Sequence, residues 1–180
     1  GGAYALSNAT TPSNNTAFGY SALAETTTGD SNVAVGWNVL NANTTGYYNN
    51  GIGRSALTAN TTGAHNIALG SDALMTNTTG GSNVAVGNYS LTATTTGSDN
   101  TAMGFGALVT NTTGSRNVAL GMSALKSCTT STYNTGLGFE ALEGVTTGAQ
   151  NIGIGKSSGY NITDGTRNVI LGYEARTSSP

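Results

Sequence analysis

Chemistry needs reactive side chains held at fixed spacing, and this chain offers few of them. His65 is the single histidine. It stands between Gly63, which ends a Thr-Thr-Gly turn, and Asn66. No ligand or proton-transfer partner recurs at a fixed distance from it, so it reads as a surface residue. Cys128 is the single cysteine and takes a position that Asn111 holds in another copy of a repeat. Without a paired histidine it reads as a tolerated substitution rather than a nucleophile. One cysteine also excludes an intrachain disulfide and a cysteine-cluster metal site. The eight acidic residues do not recur in register, which argues against a calcium ladder. Spacings such as Gly51-x-Gly53 come from the repeat and are not a phosphate loop. No catalytic, cofactor-binding or metal-ligating residue is assigned, and no enzymatic activity or cofactor is expected.

Three patterns are candidates for binding instead. The first is a variable position that follows a recurring glycine. It is aromatic at Tyr20, Trp37, Phe105, Phe139 and Tyr173 and differs at Arg54, Ser71, Asn88, Met122 and Lys156. Such rings either line an interface with another chain or form a strip that stacks on sugars. The second is a threonine pair, as in Thr44-Thr45, Thr61-Thr62, Thr78-Thr79 and Thr112-Thr113. It reads as turn chemistry that also aids solubility, with an ice-binding face as the sharper alternative. Adjacent residues of a regular strand point to opposite faces, which counts against that alternative. The third is the glycosylation acceptor Asn-x-Ser/Thr at Asn8, Asn14, Asn43, Asn60, Asn77, Asn88, Asn111 and Asn161, which a Thr/Asn-rich repeat produces by chance and which matters only where surface proteins are glycosylated.

Composition narrows the class further. Only 8% of the 180 residues are charged, and the net charge is −2. Six Lys+Arg make no basic patch able to neutralise phosphates, so no nucleic-acid partner is expected. No apolar run approaches the roughly 20 residues that cross a bilayer, so no membrane insertion is expected. Disorder is disfavoured because 37% of residues are hydrophobic. No signal-peptide pattern opens the sequence.

The elements that position these residues are set by a strict internal repeat. Asn-x-Ala/Gly-apolar-Gly begins at 15, 32, 49, 66, 83, 100, 117, 134, 151 and 168, always 17 residues apart. The copy at 168 loosens the pattern with Ile170 at the small position. A truncated copy occupies 1–14, so residues 1–180 read as one repeat array. Ala-Leu follows the glycine by three residues in six copies, as in Ala22-Leu23 and Ala107-Leu108, with Val39-Leu40 and Ser90-Leu91 as variants. Ten copies without an insertion predict that every position lies above its counterpart in the next coil. Seventeen residues are too few for a helix–turn–helix unit. The fold class is therefore all-β, a parallel β-solenoid or β-roll of 17-residue coils, each with about two short strands.

Alternation assigns the strand faces. In Asn32-Val33-Ala34-Val35-Gly36, Val33 and Val35 face one way and Ala34 the other. The bulky ladder is Phe18, Val35, Ile52, Leu69, Val86, Met103, Leu120, Leu137, Ile154 and Leu171. The leucine of Ala-Leu adds a second apolar ladder. The post-strand glycines and those of Thr-Thr-Gly are expected to take positive φ. Ten coils about 4.8 Å apart give a rod roughly 50 Å long. So thin a coil buries little apolar area against its chain entropy. One strand face is therefore expected inside the coil and the other against further copies, as a homotrimer. Neither end carries a visible polar cap, which reads as a segment of a longer fibre.

Asn-Thr-Ala-Phe-Gly-Tyr-Ser-Ala-Leu (15–23) and the recurring Asn-Thr-Thr-Gly resemble the repeats of tailed-bacteriophage tail-fibre proteins. The Asn-Val-Ala-Val-Gly core is similar to the shorter repeat of trimeric autotransporter adhesin heads, which are trimeric left-handed parallel β-rolls. The resemblance spans essentially the whole chain and implies an extracellular shaft in a virion tail fibre or cell-surface appendage, supporting host attachment. An adhesin or carbohydrate-binding repeat, with a host surface glycan as partner, is the alternative. Ice binding is the third. The period leaves handedness open.

Overall fold

The computed structural model describes residues 2–11 and 13–177; Gly1 and Pro12 of the truncated first copy, and 178–180 of the last, lie outside them. Ten strands of three residues follow one another: β1 (Thr16–Phe18), β2 (Val33–Val35), β3 (Asn50–Ile52), β4 (Ile67–Leu69), β5 (Val84–Val86), β6 (Thr101–Met103), β7 (Val118–Leu120), β8 (Thr135–Leu137), β9 (Ile152–Ile154) and β10 (Val169–Leu171). They form one sheet in sequence order. Every neighbouring pair is parallel and offset by 17, as in Val33↔Asn50 and Ala34↔Gly51. The chain is thus an all-β parallel solenoid with one coil per repeat.

Each coil holds one strand rather than two. The rest of the coil turns through left-handed residues. In one coil these are Asn38 (φ 58°), Leu40 (50°) and Tyr48 (54°), with the post-strand Gly36 at 134°. The leucine is the unexpected member. From Leu23 to Leu142, all eight lie between 50° and 53° and are fully buried. A left-handed L-residue costs about 1–2 kcal/mol. Full burial of a leucine returns about 1.5–3 kcal/mol, and the Leu40 N–H also donates to the Ala56 carbonyl of the next coil at 3.0 Å. Burial therefore offsets the backbone strain.

The middle residue of each strand points inward, small in β1 to β9 and Ile170 in β10. Ala34, Ala68, Ala85, Ala102 and Ala119 are fully buried and pack with the leucine column in one core. Volume is matched locally. Val39 is the one bulky residue at its position, and the next strand answers with Gly51, where a Cβ would come within 2.6 Å of Val39 Cγ1. The bulky ladder faces the opposite way, outside the coil. Phe18 is 65% exposed and Ile52 45%, while Val35, Leu69, Val86, Leu120 and Leu137 are half-buried.

The Thr-Thr-Gly turn works differently from the expectation of positive φ. Its glycines are absent from the left-handed region. What they supply is close approach: a Cβ on Gly46 would meet Asn43 Oδ1 at 2.3 Å and the Gly63 carbonyl at 2.5 Å. The turn aims three successive N–H groups, from Thr27, Thr28 and Gly29, at the single carbonyl of Thr44. The Thr27 hydroxyl donates to that same oxygen at 3.1 Å. This pattern of hydroxyl donation repeats in each coil as far as Thr146, which donates to Thr163.

Candidate functional site

Two buried amide columns hold the coils in register. The repeat-initiating asparagines form an unbroken ladder from Asn15 to Asn168. A typical rung is Asn100. Its backbone N–H and its Nδ2 both donate to Asn83 Oδ1, at 3.0 and 3.1 Å, and Nδ2 also donates to the Gly114 carbonyl at 2.9 Å. Its own Oδ1 then accepts from Asn117 N–H and Nδ2. The second column begins at Asn43. Asn60 and Asn77 each donate to the Oδ1 of the amide one coil earlier at 2.8 Å and to a glycine carbonyl three residues on.

That second column is interrupted. Thr94 donates its hydroxyl to the Asn111 carbonyl, so the buried Asn77 Oδ1 has no partner. Thr94→Asn would supply the missing donor, and Gly97 three residues on leaves the space. We expect a gain of about 1 kcal/mol, read as a higher thermal midpoint; an unchanged or lower midpoint would contradict the ladder geometry. Further along, Cys128 replaces Asn and Ser131 replaces the glycine. The first substitution removes the counterpart of the amide oxygen, Asn111 Oδ1, that stands 2.3 Å from the Cβ position at Gly114, one of the contacts that a serine Cβ would meet in this turn. The Ser131 hydroxyl lies 2.8 Å from Cys128 Sγ. Burial pushes the Cys128 thiol up from its ordinary pKa, partly offset by its hydrogen bonds to Ser131. A buried neutral thiol is a poor nucleophile.

Burial also divides the glycosylation motifs. Asn43, Asn60, Asn77 and Asn111 are fully buried, whereas Asn8, Asn14, Asn88 and Asn161 are exposed. A glycan added to the nascent chain at a buried position would block coil closure. Secretion through an N-glycosylating pathway is expected to yield unfolded chain. Replacing Thr45, Thr62, Thr79 and Thr113 by Val, all exposed, removes the acceptor motif and should restore protease resistance. Resistant chain carrying glycans at those four asparagines would refute the buried column.

The aromatic strip is placed on the surface as one column. Tyr20, Trp37, Phe105 and Tyr173 are each about half exposed or more, and Phe139 somewhat less. It is not continuous, since Arg54, Ser71 and Asn88 interrupt it. Arg54 pairs with Asp72. Tyr4 and Tyr89 extend it by edge-on contacts with Tyr20 and Phe105, at 5.5 and 5.6 Å between centroids. Lys156 lies 4.9 Å from the Tyr173 ring, and the hydrogen bond it donates to that phenol raises its pKa.

Another ring cluster escaped the sequence reading. Tyr47 meets Tyr48 and His65 edge-on, at 5.6 and 5.2 Å, and Tyr48 stacks on His65 at 5.3 Å. The signal was present, since Tyr48 and His65 are 17 residues apart and share a column. His65 is exposed, as expected. The acidic side chains Glu140, Glu143 and Glu174 border one shallow depression, where Lys126 and Lys156 pair with Glu143 and Glu174.

The second threonine of each pair forms an exposed column from Thr28 to Thr147. The pair lies in a bend, so strand alternation does not govern its directions. Among the described residues no group of three His, Cys, Asp or Glu is arranged to hold a metal ion, and no helix is long and apolar enough to cross a membrane. No family model, curated protein or solved structure matches this chain.

Proposed function

We propose that this chain is a shaft segment of a phage tail fibre or related extracellular fibre, and that copies associate as a homotrimer through the outward strand face. Its work is mechanical: in-register coils give length and stiffness, holding a receptor-binding tip away from the particle or cell. The observation that carries the reading is the outward face itself. The ten strands contain no charged residue, yet Phe18, Ile52, Met103, Ile154, Val169 and Leu171 stand 41–66% exposed along it. Contiguous exposed apolar surface on this scale marks an interaction site.

Area sets what else must join. Three residues of strand by ten coils make a footprint of about 10 by 48 Å, or ~480 Å². A standard interface takes ~800 Å² from each partner. We assign the remainder to the exposed aromatic column that follows each strand, with Tyr20, Trp37, Phe105 and Phe139. Light scattering is expected to give three times the chain mass, and a stable monomer would refute the reading.

A second reading, a carbohydrate-binding surface, is favoured by the Tyr47–Tyr48–His65 cluster, whose exposed rings can stack on sugars. A glycan array probed with the isolated chain tests it. Ice binding draws on the exposed threonine column alone, and absence of thermal hysteresis would discard it.

A further inference from the structure

Four side chains interrupt the otherwise apolar first outward column: Thr16, Asn50, Thr101 and Thr135. None of them makes a side-chain hydrogen bond within the described residues. This sets them apart from the buried asparagines and the turn threonines, whose side chains are tied into neighbouring coils. Asn50 is the most demanding. It alone in the column carries an amide, with two donors and an acceptor, and it sits between Val33 and Ile67 of the adjoining coils.

We infer that Asn50 is the register key of the self-associated rod, fixing copies parallel and level with one another. The inference rests on the shaft reading above, because it takes a second copy as the occupant of this face. Several features of the face favour that occupant. It is uncharged, so it offers nothing to a charged partner. Its side chains recur at the coil spacing, which a second copy shares along the full length. Its polar positions, in coils one, three, six and eight, also complement themselves. Level and parallel, Asn50 meets Asn50 around the axis, where each amide can donate to the next, and each threonine meets its own counterpart.

Other alignments leave polar groups or apolar surface unmatched. A slip of one coil sets Asn50 against Val33 or Ile67. An antiparallel pairing with ends aligned sets Asn50 against Thr135 but Thr16 against Val169 and Thr101 against Val84. An antiparallel pairing shifted by two coils matches all four polar positions. It then leaves β9 and β10 uncovered, with Val169 and Leu171 still 66% and 63% exposed. A single amide in an apolar seam selects register at a cost in stability, because misalignment strands its hydrogen-bonding groups.

The test uses the full chain with Cys128→Ser and one new thiol in the same column. Chains carrying Val118→Cys are oxidised alone, and also mixed with chains carrying Ile67→Cys. Asn50 is either kept or replaced by Val. With Asn50 kept, cross-links at 118–118 should dominate and 118–67 should be at trace level. With Asn50→Val, assembly should persist, but unlike-level cross-links should rise to comparable yield and the mass distribution should broaden. An assembled parent whose Asn50→Val variant keeps one register would overturn this inference alone. Preferential 118–67 cross-linking in the parent would overturn the level, parallel arrangement. A monomeric parent would overturn the shaft reading as well.

Discussion

Asn100→Ala is expected to destabilise the rod by about 3–5 kcal/mol, among the largest effects of any single substitution in the chain. The amide makes four side-chain hydrogen bonds inside a column from which water is excluded. Alanine leaves the buried Asn117 N–H and the Gly114 carbonyl without these partners. Each stranded group costs about 1–3 kcal/mol, and the missing volume adds to this. Asn100→Asp should be worse still at neutral pH. It keeps the acceptor but sets a buried charge against Asn83 Oδ1 and the Gly114 carbonyl, where donors stood. Burial would raise the new carboxyl's pKa above its unfolded value. The Asp variant is therefore most stable at acidic pH and loses stability as pH rises through the folded-state pKa. Thermal midpoints by circular dichroism across pH measure both effects, and hydrogen exchange should localise the opening to neighbouring coils. An Asp variant equal to the parent at neutral pH would show that the ladder does not hold the register.

Replacing Val35, Leu69 and Leu120 together by Asp is expected to abolish self-association while leaving the coil intact. All three side chains point out of the coil and are half-buried, so the core of Ala and Leu columns is untouched. In the proposed trimer each would bury an unpaired charge, at several kcal/mol apiece. Three per chain would weaken association by many powers of ten. The measurements are mass by light scattering and strand content by far-UV circular dichroism. Thr45→Asp is the control: it adds a charge on an exposed turn away from the strand face and should leave the mass unchanged. Loss of fold in the triple variant would mean that the ladder is core rather than interface. Unchanged mass would mean that copies meet elsewhere.

Much of this was legible from the order of residues because the period is strict. Seventeen-residue steps announced a coil, and alternation at Val33-Ala34-Val35 announced a strand with two unlike faces. Other features were hidden. Leu40 in the left-handed region follows no local preference; it is held there by its burial and by a hydrogen bond to a residue 16 positions away. Asn32 was visible as the start of a motif, but its role depends on Asn15 and Asn49 lying directly below and above it. The Gly46 requirement looked like a turn preference and is instead a matter of contact with Asn43 and Gly63.

By itself, then, the sequence determined that this chain is a stack of equal coils, since a repeated pattern of size and polarity needs no distant information to be read. Which strand face is core was decided only by the tertiary structure. Both faces are apolar, and the leucine column leaves space over the strand for Ala34 but not for Val35. The same packing sent the bulky ladder outward and left Phe18, Ile52, Met103, Ile154 and Leu171 exposed along the rod.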